Sequence, residues 1–71
     1  MGKIRVREKT NKLFFDFRYL GKRCREQTTL DNIAANRKKL ERILEKIEAE
    51  ITLGTFDYGR YFPDSPRAKT L

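Results

Sequence analysis

The chain has 71 residues, room for one small domain with a thin core, and hydrophobic and charged residues each make up 38% of it. It contains no His, one Cys and no Trp, so a His-based acid–base centre, a Ser-His-Asp triad and a Cys/His zinc site all lack parts. Neither catalysis nor a cofactor nor a metal is expected, and the net charge of +7 points to an acidic partner.

No apolar run approaches the roughly 20 residues of a membrane span, and no signal-peptide pattern opens the sequence. A lone cysteine suits a reducing compartment, so a cytoplasmic protein is expected. The charge is unevenly spread. Residues 1–30 carry nine basic and three acidic side chains, residues 31–54 carry five of each, and residues 55–71 carry three basic and two acidic. Nearly all of the excess lies in the first thirty residues, as in a surface that binds a polyanion.

Residues 3–8 alternate polar and apolar, which predicts a strand with Ile4 and Val6 on one face and Lys3, Arg5 and Arg7 on the other. Thr10-Asn11 reads as a turn. Residues 12–20 are the most β-prone stretch. Burying Leu13, Phe15, Phe17 and Tyr19 leaves Phe14, Asp16 and Arg18 outward, whereas the opposite register would bury a carboxylate and a guanidinium. Gly21-Lys22 reads as a tight hairpin connection, with Gly supplying a positive φ.

A third strand is expected over residues 23–29, with Cys24 inward and Arg23, Arg25 and Gln27 outward. Glu26 then falls on the inner side, which places it near an edge or beside a basic partner. Asp31 and Asn32 are good helix N-caps. From Ile33 the period changes: Ile33, Leu40, Ile43, Leu44, Ile47 and Ile51 recur at helical spacing, predicting an amphipathic helix of about twenty residues. Gly54 follows it at the usual left-handed position. The outer helix face, with Arg37, Lys38, Arg42 and Lys46 among four glutamates, reads as solvated. Phe56, Tyr58, Tyr61 and Phe62 form an irregular aromatic tail that folds back on the helix or sheet, and the residues after Pro63 read as an open linker.

The result is a two-layer α+β domain: a three-stranded antiparallel sheet packed against one C-terminal helix. Lys3, Arg5, Arg7, Lys12, Phe14, Asp16, Arg18, Arg23, Arg25 and Gln27 share the face away from that helix. The basic block thus lies on one side of one sheet, which favours nucleic acid as the partner.

Tyr19-Leu-Gly-Lys-Arg-Cys-Arg-Glu26, the helix, and Leu53-Gly-Thr-Phe-Asp-Tyr-Gly-Arg-Tyr-Phe-Pro-Asp-Ser65 together resemble the N-terminal arm-type DNA-binding domain of lambda-like phage integrases, in the tyrosine-recombinase family. The likeness extends over roughly residues 3–65. It implies a sheet inserted into the DNA major groove at arm-type sites, within a protein whose separate domains bind and cut the crossover site. It divides the chain into an arm-type domain, residues 1–63, and a linker, residues 64–71, toward a core-binding and catalytic region. Other integrase protomers and DNA-bending accessory proteins are implied partners, and the nucleoid an implied location. With only Met1 and Gly2 ahead of Lys3, no minor-groove contact from a preceding tail is expected. Tyr19, Tyr58 and Tyr61 are expected to pack, not to act as nucleophiles.

On this basis Arg18, Arg23 and Arg25 should lie nearest the groove floor, with Arg matched to guanine and Gln27 to adenine. Arg5, Arg7, Lys12 and Lys22 should meet phosphates. Asp16 is expected to orient Arg18 or Arg23, with a contact to a cytosine amino group as the alternative. Phe14 is either packed on arginine stems or set against a thymine methyl. Two other functions compete. One is a helix-mediated interaction module, with Ile33, Leu40 and Ile47 on one seam and Leu44 and Ile51 on the other. The other is RNA binding through the aromatic on the sheet, for which only Phe14 is available. The isolated domain is expected to be monomeric and to have no membrane partner.

Overall fold

Leu13, Phe15 and Phe17 follow one another on one face of the central strand, and all three are buried. The computed structural model describes residues 2–70, so Met1 and Leu71, the outer residues of the two expected units, lie outside the described residues. Three strands, β1 (Lys3–Arg7), β2 (Lys12–Tyr19) and β3 (Lys22–Asp31), form an antiparallel sheet in the order β1-β2-β3. The helix α1 (Ala34–Leu53) follows, then the short α2 (Tyr58–Tyr61) and α3 (Pro66–Thr70). The α+β architecture is as the sequence predicts.

Both hairpin turns use left-handed residues. Asn11, at φ 56°, closes the first, with its N–H donating to the Arg7 carbonyl at 2.8 Å. In the second, Tyr19 pairs with Lys22 and the turn residues are Leu20 (φ 54°) and Gly21 (φ 76°). The expected connection, Gly21-Lys22, is therefore displaced by one residue. Two successive left-handed residues match the twist of the flanking strands, and Leu20 accepts a strained backbone at an exposed position to complete that pair. At the other end of β3 the register slips: Phe14 opposes Gln27, but Lys12 opposes Asp31. The Thr28 hydroxyl donates to the Leu13 carbonyl across this bulge at 2.7 Å, and β3 continues to Asp31 rather than stopping at residue 29.

That extension displaces the helix cap. Asp31 belongs to the strand and Asn32 accepts from Arg37 at 3.2 Å, so Ile33 occupies the N-cap position with no side-chain cap. The expected caps Asp31 and Asn32 are both diverted. At the other end Gly54, at φ 76°, ends α1 as expected, and the Thr55 N–H donates to the Glu50 carbonyl at 2.9 Å.

Leu40, Leu44 and Ile47 of α1 are buried with Ile4, Leu13, Phe15, Phe17 and Cys24 of the sheet. The apolar side of α1 is thereby occupied, and the expected helical seam loses Leu40 and Ile47 to the core. The aromatic tail seals the open end of this layer. Phe56 meets Tyr19 edge-on with ring centroids 4.8 Å apart, and Phe62 stacks on Phe17 at 6.0 Å. Such pairs add about 0.5–1.5 kcal/mol each beyond the area they bury.

Glu26 is buried on the inner face of the edge strand β3. Its carboxylate is satisfied by hydroxyls rather than by the basic neighbour that was the other expectation: Tyr58 donates to it, and Ser65 Oγ donates at 2.9 Å. Burial, reinforced by Glu26, pushes the Tyr58 hydroxyl above its usual pKa of 10.0. Beyond Pro63, α3 forms one short turn of helix, and Ala68 packs against the core. No helix among the described residues is long and apolar enough to cross a membrane.

Candidate nucleic-acid interface

The three strands bring the basic residues together in cross-strand rows. Lys3, Asp16 and Arg25 face one another across the sheet; beside them run Arg5, Phe14 and Gln27, and then Arg7, Lys12 and Asp31. Arg18 pairs directly with Arg23. Alternation puts every one of these side chains on the face opposite Phe15, Phe17 and Cys24, away from α1. Lys22 differs, since it pairs with Tyr19 and by alternation belongs to the helix side at the turn.

Within this face the charges are not equivalent. Asp16 is buried, with its side chain 9% exposed. Arg23 grips it through two bonds, Nε to Oδ1 at 3.1 Å and Nη2 to Oδ2 at 2.7 Å, while Arg5 Nε donates to Oδ2 at 2.7 Å. The expected partner Arg23 is present; Arg18 is not one, and Arg5 takes that place from the neighbouring strand. The Arg23 bond, then Arg5, outweighs the desolvation that opposes them and holds the Asp16 pKa down to about 2. The carboxylate is therefore charged throughout the neutral range, and the same contact raises the Arg23 pKa.

Lys12 forms an ion pair with Asp31 at the rim. Arg18, Arg25, Gln27, Lys3 and Arg7 are exposed, and none of them makes a side-chain hydrogen bond or ion pair among the described residues. Phe14 is half-buried between Arg5 and Gln27. The face thus offers cations and an amide donor to a large anionic ligand. Among the described residues no cluster of His, Cys, Asp and Glu is arranged to hold a metal ion.

A neighbouring feature was not legible in the sequence. Ser65, Pro66 and Arg67 come back beside Arg25 and Gln27, and together they line an open cleft of about 550 Å³ at the edge of the sheet. The only local signal was a basic residue in a segment that reads as a linker.

The sequence profile of the arm DNA-binding domain family matches residues 1–66. The chain belongs to this family. An arm DNA-binding domain is found in phage integrases and is a non-catalytic module. No curated protein and no solved structure matches this arm DNA-binding domain. Its family and its basic sheet face agree on DNA as the ligand.

Proposed function

We propose that this arm DNA-binding domain reads specific duplex DNA as the arm-site module at the N-terminus of a phage integrase, with the outer face of its sheet in the major groove. The observation that carries this reading is the arrangement of Lys3, Arg5, Arg7, Arg18, Arg23, Arg25 and Gln27 on one sheet face, with α1 entirely behind it. A three-stranded face of this kind fits the major groove, where base edges present a distinct pattern for each pair.

Lys12, Lys22, Phe14 and Asp16 complete the proposed contact set: the lysines at the phosphates, Phe14 against sugar or thymine methyl, and Asp16 within the arginine cluster. Residues 64–71 lead toward core-binding and catalytic regions of a tyrosine site-specific recombinase, active in the bacterial cytoplasm on the nucleoid. Other integrase protomers and DNA-bending proteins share the recombining complex. RNA is disfavoured by the single, half-buried aromatic on this face, a poor stacking platform.

Selection of duplexes from a random pool, followed by amide shift mapping with the winner, tests the reading. Shifts should fall on residues 3–7, 14–18 and 22–28 and spare residues 40–51. Shifts confined to α1, or failure of any duplex to enrich, would reject it.

A further inference from the structure

A carboxylate in the middle of a DNA-facing surface repels the ligand, and Asp16 does nothing for the apolar core on the other side of β2. What it does is hold arginines. The residues directly opposite it, Lys3 and Arg25, are not its partners; it reaches the diagonal ones, Arg5 on β1 and Arg23 on β3.

The atoms used in these contacts are informative. A guanidinium carries five N–H donors, divided between a side edge that includes Nε and an end formed by Nη1 and Nη2. Arg23 gives its side edge to Asp16, through Nε and Nη2. Arg5 gives only Nε. The terminal fork of each is left for a ligand, and the two side chains are about half-exposed, at 48% and 50%. One carboxylate therefore fixes two outward forks, one on each side of the central strand, before any ligand arrives.

Guanine presents N7 and O6 to the major groove as a pair of acceptors matched to such a fork. A base edge requires its donor in one orientation, and a side chain already immobilised loses less freedom on binding. A phosphate is less demanding, and a flexible cation serves it well. Arg18 and Arg25 have no comparable tether.

We infer that Asp16 is a positioning residue that presets Arg5 and Arg23 as the guanine-reading pair, leaving Arg18 and Arg25 to the phosphates. This rests on the major-groove reading proposed above, and it moves Arg5 from the expected phosphate contacts to the base-reading pair. It also has an unusual electrostatic consequence. Removing Asp16 makes the face more positive, so binding to arbitrary DNA should hold or strengthen while discrimination falls.

The test compares the wild-type chain with Asp16→Asn, Arg5→Lys and Arg23→Lys, on the selected duplex and on random duplex, with a thermal melt of each protein. The lysine variants keep the charge but lose the fork. Asp16→Asn should lower the specific-to-random ratio by about tenfold or more without weakening random binding, and each lysine variant should lower that ratio by a similar factor. In the free protein, the Arg5 and Arg23 Nε–H signals should be sharp and slow to exchange, and Asp16→Asn should abolish this. A preserved ratio in Asp16→Asn, with those signals lost, overturns the inference and leaves the DNA reading standing. If Asp16→Asn does not fold, the lysine variants decide, and an unchanged ratio in both overturns it. A wild-type chain that prefers no duplex defeats the major-groove reading itself.

Discussion

The Tyr58 hydroxyl donates to the Glu26 carboxylate across 32 residues of chain, tying the aromatic tail to the inner face of β3. The acceptor is buried and shared with Ser65. Tyr58→Phe removes one donor from a buried carboxylate and should cost about 1–3 kcal/mol. Urea denaturation of the wild type, Tyr58→Phe, Glu26→Gln and the double variant measures it. Additive losses would mean that the two groups do not act as a pair.

The same tyrosine sets an alkaline limit. Its pKa is raised in the fold, first by burial and then by Glu26, so its protonated form favours the native state. That stability is complete below the ordinary value of about 10 and is lost as pH rises toward the elevated folded value. Tyrosinate absorbance followed with pH should show Tyr58 titrating only as the protein unfolds, and Tyr58→Phe should weaken the alkaline transition.

At the acid end the sign reverses. Asp16 has its pKa lowered from 3.8 to about 2 in the fold, so its charged form favours the native state. The contribution is complete above the unfolded value and disappears as pH falls from about 4 to about 2. Acid unfolding monitored by circular dichroism should begin in this window, and Asp16→Asn should flatten that part of the curve.

Duplex binding should be strongly salt-dependent. With roughly four to seven phosphates neutralised, the log–log slope of affinity against salt should be about −4 to −6. Fluorescence anisotropy over a salt series measures it, and a slope near zero would contradict a phosphate-rich interface.

α1 should matter for folding and not for DNA. Leu44 is buried against the sheet, and Leu44→Ala should destabilise the domain by about 2–5 kcal/mol. Arg42 is exposed on the far face of α1, and Arg42→Ala should leave both the melting temperature and the DNA affinity unchanged. Loss of DNA affinity in that variant would place the reading element on the helix.

Local periodicity is what made the sequence readable. The alternation through Leu13, Phe15 and Phe17 assigned the faces of the sheet, and the spacing of Leu40, Leu44 and Ile47 assigned the buried side of α1. Most of the departures have non-local causes. Glu26 finds its hydroxyl partners 32 and 39 residues away, beyond any motif. The bulge that carries β3 on to Asp31 took both expected caps away from α1. The left-handed Leu20 is a residue type that rarely accepts that conformation, so composition pointed past it. At the candidate interface, alternation identified the shared face but not its internal pairing. Arg5 reaches Asp16 through a diagonal of the β1–β2 register, which a single strand's pattern does not encode.

Arg18 stands directly opposite Arg23, a like-charge pair at closest cross-strand range, and Asp16 neutralises only part of the surrounding charge. The free domain is therefore held back by its own basic sheet face. Ionic strength acts on the two states with opposite sign: at about 0.15 M salt the screening length is about 8 Å, which relieves mutual repulsion in the unbound fold and loosens its hold on a phosphate chain. The melting point of the free domain should climb with added salt while that of the complex descends to meet it. A duplex bound as proposed does for this sheet what small ions do only diffusely, by supplying a fixed lattice of counter-charge.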